Sequence, residues 1–165
     1  MAKKEGESKK GGEKEKSPSA LEHWTTEPDA HDYPAAADFL SLILPEASVG
    51  ELVEALKAAP IQHRKAKDLL RASRLALLPP DNAHVASDLA KVKRGTPLSP
   101  VLLVRGDVRL DAALTVADGY HRVCASYWLD ENTDIPCHLV DLGPPRQTGT
   151  APAPPPSSGG TTSVQ

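Results

Sequence analysis

From residue 34 apolar side chains recur at helical spacing, with Phe39, Leu40, Ile43 and Leu44 following Pro34, which suits a first helical turn. This predicts a helix over 34–44. Ser48 stands three residues before Glu51, the capping-box spacing, and Leu52, Val53 and Leu56 continue one apolar face until Pro60, so a second helix is expected there. Pro60 is expected to open a third. Its apolar side would hold Ile61, Leu69 and Leu70, while Arg64, Lys67, Arg71 and Arg74 would form a basic stripe at i, i+3, i+7 and i+10. Leu75 to Leu78, stopped by Pro79-Pro80, predicts a short strand. Asn82 can cap a helix running through Val85, Leu89 and Val92 to Gly95. Val101 to Val104 and Leu114 to Ala117 are continuous apolar runs that read as buried strands, with a polar excursion between them. A helix from Gly119, with Tyr120, Cys124, Tyr127 and Trp128 on one face, and a last strand over Ile135 to Leu142 complete the order α-α-α-β-α-β-β-α-β. The fold class expected is α/β, a small mixed sheet with packed helices preceded by an N-terminal helical segment.

Composition shortens the folding unit. Residues 1–16 hold six Lys and four Glu and almost nothing apolar, and from Pro144 onward the chain is mostly Pro, Gly, Ser, Thr and Ala. Neither end can offset the entropy of ordering, so tails are expected at 1–19 and 144–165, outside a helical segment at 20–74 and a sheet domain at 75–143. No apolar run approaches the length of a membrane span and no signal-peptide pattern opens the chain, so a cytoplasmic protein is expected. Cys124 and Cys137 make neither a Cys-x-x-Cys pair nor a zinc-ligand series, which predicts reduced thiols and no metal site built by the protein alone.

The formal net charge of −3 conceals alternation along the chain. Residues 22–54 carry eight acidic and no basic side chains, residues 57–94 carry nine Lys or Arg against three Asp, and residues 95–142 turn acidic again. A net negative middle is a poor general DNA binder, because nonspecific affinity comes from neutralising phosphates. A solvated helix face is the ordinary reading of the stripe Arg64, Lys67, Arg71 and Arg74; a grip on nucleic acid or a partner protein is the functional one. His23, His31, His63, His84 and His138 show no ligand spacing, and Trp24 and Tyr33 read as packing anchors.

One turn combines several anion-binding features. Asp118-Gly119-Tyr120-His121-Arg122 sits where a buried strand passes into a helix, so the helix's first N–H groups are unpaired and its dipole is positive there. Gly119 permits a tight turn, Arg122 offers a planar fork that fits phosphate, and His121 can exchange a proton near neutral pH. Asp118 has two readings. As a helix cap it would occupy the N–H groups and repel an anion; as a Mg²⁺ recruiter or general base it would be the catalytic residue.

On Gly95-Thr96-Pro97-Leu98-Ser99-Pro100, Ala117 to Arg122, Cys124-Ala125 and Ile135-Pro136, the stretch Leu75 to Leu142 resembles the ParB/sulfiredoxin superfamily. The resemblance implies that this turn binds a nucleotide (ATP, ADP or CTP), with or without Mg²⁺, with Gly119, Tyr120, His121 and Arg122 around the phosphates. Tyr120 stands where sulfiredoxins carry their catalytic cysteine, so sulfinic-acid reduction is not expected. The Gly-Glu-Arg-Arg pattern and following helix-turn-helix of partitioning proteins are missing as well. The Asp-Gly-x-His-Arg form is similar to members that phosphorylate a small hydroxylated metabolite, which keeps small-molecule kinase or nucleotide hydrolase activity open. The alternative is a non-catalytic regulatory module that binds nucleic acid or a partner protein.

Overall fold

The computed structural model of the protein describes residues 23–143. The expected tails lie outside the described residues. Five helices pack on a four-stranded mixed sheet: α1 (Asp32–Ser41), α2 (Glu46–Ala58), β1 (Ile61–Lys65), α3 (Ala66–Ser73), α4 (Ala83–Lys93), β2 (Val101–Arg105), β3 (Thr115–Asp118), α5 (Tyr120–Leu129) and β4 (Asp134–Asp141). The sheet order is β1-β4-β2-β3. β2 and β4 run parallel, while β1 on β4 and β3 on β2 are antiparallel. No described helix is long and apolar enough to cross a membrane.

The continuous apolar strand β2 is central, so both of its faces are buried. Leu102 and Val104 point with Ala117 and Val140 into a core closed by Ala36 and Leu40 of α1 and Leu52 and Leu56 of α2. Val101 and Leu103 point the other way, onto Leu69 and Leu70 of α3 and Val123 and Cys124 of α5. Burying each such side chain contributes roughly 1.5–3 kcal/mol, which makes this run the anchor of a helix–sheet–helix sandwich.

Four local expectations are corrected. Helix α2 starts at Glu46 behind Pro45, so Ser48 lies inside it and caps nothing. The third helix does not start at Pro60: residues 61–65 form β1, whose backbone adds to the open edge of β4, and α3 begins only at Ala66. Arg64 is therefore on a strand, and the regular helical stripe does not exist. Leu75 to Leu78 is no strand either. Its carbonyls are taken by side chains of α5, Ala76 by the Tyr120 hydroxyl and Leu78 by the Trp128 indole N–H at 2.8 Å. Trp128 accordingly lies at the surface, 45% exposed, rather than in the core face expected of it.

Other expectations hold. Asn82 accepts from the His84 and Val85 N–H groups and caps α4, and Gly95 ends that helix at φ 72°. Trp24 bridges to Leu98 and packs on the α3/α5 side, and Tyr33, on α1, packs against the core between α1, α2 and the sheet.

Candidate functional site

Strand β3 delivers Asp118 to the sheet edge, and Gly119, at φ 101°, turns the chain into α5. A Cβ on Gly119 would come within 2.5 Å of Val101 Cγ1 and 2.9 Å of Val101 Cβ. The glycine thus serves both the left-handed turn and the close approach of the turn to β2. No side chain caps α5. Asp118 is instead turned toward Arg122 one helical turn on, and its Oδ2 accepts from Nη2 of that arginine.

Arg122 is shared between two carboxylates. Nη1 reaches Oδ2 of Asp32 at 3.2 Å, from α1, 90 residues away in the chain. The Asp32 side chain is 3% exposed and that of Arg122 12%. Asp32 also accepts from the Ser99 hydroxyl and, at 3.1 Å, from the Asp29 N–H, which in turn lies 2.9 Å from Ser99 Oγ. The guanidinium fork foreseen as a phosphate contact is thereby held by protein carboxylates. Burial pushes the Asp118 carboxyl above its ordinary range; Arg122 pulls it down, and the second carboxylate, Asp32, pushes it up.

Around this clamp opens a polar cleft of ≈ 230 Å³. Gly119, His121 and Arg122 form one wall, and α4 forms the other with His84, Ser87, Asp88 and Lys91, which recur at one-turn intervals on a single helix face. His31 stands at the rim. The imidazoles of His84 and His121 face each other with centroids 4.6 Å apart. Burial, reinforced by His84 and Arg122 and opposed by Asp88, holds His121 below its ordinary value. Lys91 Nζ lies 2.8 Å from Asp88 Oδ1; the lysine stays 42% exposed, while the Asp88 side chain is only 9% exposed and depends on that cation.

Sequence reasoning therefore missed Asp32, His31, His84, Ser87, Asp88, Lys91 and Ser99. The polar face of α4 carried a readable signal, since His84, Ser87, Asp88 and Lys91 fall at helical spacing. Nothing local pointed to Asp32. Lys67 and the three arginines of the expected stripe lie away from this cleft. Among the described residues one group of metal-capable side chains gathers, Asp29, His31 and Asp32, with ligand atoms within 4.8 Å of one another. Asp32 Oδ2 already takes three donors and Oδ1 lies 3.3 Å from His31 Nε2, so the group is a hydrogen-bonded lead into α1.

Cys124 is fully buried, and burial raises its thiol pKa; the same cause pushes Cys137 up to about 11. Both thiols should resist iodoacetamide in the native protein and react once urea unfolds it, with Cys124→Ala leaving ligand binding within a small factor. Rapid native labelling of Cys124 coupled to loss of binding would give the thiol a working role instead. No known protein family, curated protein or solved structure matches this chain.

Proposed function

We propose that the cleft between α4 and α5 binds the phosphate group of a nucleotide or phosphorylated metabolite. The observation that carries this reading is the uncapped first turn of α5, left open because Asp118 pairs with Arg122, facing His84 and Lys91 across the cleft. In this arrangement the α5 N–H groups, His121, His84 and Lys91 contact the phosphate. Arg122 is a positioning residue that holds the turn against α1. The resemblance of residues 75–142 to nucleotide-binding members of the ParB/sulfiredoxin superfamily points the same way, and residues Gly119 to Arg122 are the shared motif.

A bound anion favours imidazolium, so phosphate binding should take up a proton at His121, whose ligand-free pKa is depressed. Affinity is expected to rise as pH falls from about 8 to about 6.5, and His121→Asn should flatten that dependence. Without ligand the sign for stability is opposite: the fold favours neutral His121, so its contribution is complete above about pH 6.5 and is lost as pH falls below it. The direct test is calorimetry with ATP, ADP, CTP and inorganic phosphate, each with and without Mg²⁺. A bound ligand at about a hundred times its dissociation constant should add roughly 2.7 kcal/mol to stability. His121→Ala or Lys91→Ala should remove much of that gain while the ligand-free protein still folds. Failure of every one of these ligands to bind would leave the motif a purely structural strand-to-helix turn.

A further inference from the structure

A second concavity, of about 440 Å³, lies between α3, β1 and the 106–114 segment and shares no lining residue with the phosphate cleft. Its volume is that of a small-molecule site. The floor is apolar, made by the half-buried Leu114 and Leu139 with the fully buried Leu103 behind them. The rim carries Arg64, Arg71, Arg74 and Arg105, four of the seven arginines among the described residues. Three of them come from the expected helical stripe. Tertiary structure brings them together around a groove, although one is on a strand, one inside a helix and one at the helix end.

The arginine partners are replaceable. Arg71 pairs with Asp68, another lining residue, at 3.0 Å, Arg74 with Asp111 at 2.6 Å and Arg105 with Asp141, all through exposed pairs that contribute little to stability. Among the described residues, Arg64 hydrogen-bonds only the neutral oxygens of His63 and Gln62. Arg74 and Asp111 are, moreover, the two non-glycine residues among those described with positive φ, at 57° and 53°. They bond each other beside the groove. Both are left-handed helix C-caps, Arg74 ending α3 and Asp111 ending the 3-10 turn Val108–Leu110, so their ion pair ties two helix ends together.

We propose that this groove binds an amphipathic organic anion, its apolar body on Leu114 and Leu139 and its single carboxylate among the rim arginines. Apolar floor and basic rim together select this chemistry: a neutral apolar molecule leaves the guanidinium groups unused, and a small hydrophilic anion leaves the floor wet.

Calorimetric titration of the full chain with octanoate and with 1-octanol tests it. Octanoate should occupy one site per chain, with 1-octanol at least about tenfold weaker. Arg64→Ala combined with Arg105→Ala should cost octanoate about tenfold and leave 1-octanol unchanged. Ala72→Phe, which fills the groove from an exposed position of α3, should abolish binding of both. Should that variant fail to fold, amide shift mapping on the wild type decides: octanoate must perturb Ala72, Val108 and Leu139 and leave His84 and His121 still. Equal affinity for octanoate and 1-octanol, no octanoate binding, or shifts confined to the other cleft would each overturn the proposal. So would concentration-dependent self-association abolished by Ala72→Phe, which would give the groove to a second copy of the chain.

Discussion

Arg122→Ala is expected to destabilise the fold by about 3–5 kcal/mol, the range for removing one partner of a buried ion pair, and to lower the melting temperature by roughly 10–20 °C. The cost arises from what is left behind. Asp32, 3% exposed, and Asp118, 21% exposed, would face each other with no cation between them. Part of that penalty is relieved by the Ser99 hydroxyl and the Asp29 N–H, which still donate to Asp32. Arg122→Lys restores the charge but not the fork that spans two carboxylates, so it should recover only part of the loss. Urea unfolding of the three proteins measures this directly. An Arg122→Ala protein within about 1 kcal/mol of the wild type would mean that the clamp behaves like a surface pair. Because the arginine holds α1 against the β3–α5 turn, loss of phosphate binding in Arg122→Ala is not a sign of direct contact; that inference belongs to His121 and Lys91.

Gly119→Ala should be the next most damaging change, at roughly 2–4 kcal/mol, because two costs combine. The alanine must adopt φ near 101°, and its Cβ meets the Val101 side chain at 2.5 Å and 2.9 Å. Gly95→Ala is the internal control. Gly95 is also left-handed, at φ 72°, but nothing lies within 4 Å of its Cβ position, so that variant should lose only the conformational part, about 1–2 kcal/mol. Equal losses for the two alanines would show that Val101 moves aside and that close packing at the turn is unimportant. A shift of the turn in Gly119→Ala should also reorient the first N–H groups of α5, so phosphate affinity should fall in that variant even under conditions where it is folded.

What local chemistry specifies was legible. Asn82 is an N-cap because its side chain reaches the N–H groups two and three residues on, and Val101 to Val104 is a central strand because four consecutive apolar residues need cover on both faces. The α/β class and the Asp118–Arg122 turn followed from such patterns. The elements that were misread depend on distant partners. Residues 61–65, Ile-Gln-His-Arg-Lys, have no alternation worth the name; they form a strand because the edge of β4 offers unpaired backbone groups. Leu75 to Leu78 has the composition of a strand and is none, since the Tyr120 hydroxyl and Trp128 indole take two of its carbonyls.

That β3 passes through a glycine into α5 and presents a histidine and an arginine on the first turn is written in the order of residues 118–122. What those side chains do depends on packing. Asp32 and Arg122 are 90 residues apart, and no spacing rule connects them; burial of both where the start of α1 meets the β3–α5 turn makes their pairing obligatory, because an unpaired charge there would cost several kcal/mol. The same is true of the arginines at 64, 71, 74 and 105: the first three read along the chain as part of one helical stripe and the fourth as unrelated to it, and they become one rim where β1, α3 and β2 meet. Periodicity reports which face of an element is apolar; which charges then share a low-dielectric or half-enclosed space is set by how the elements pack, and that packing turns a list of polar residues into a site.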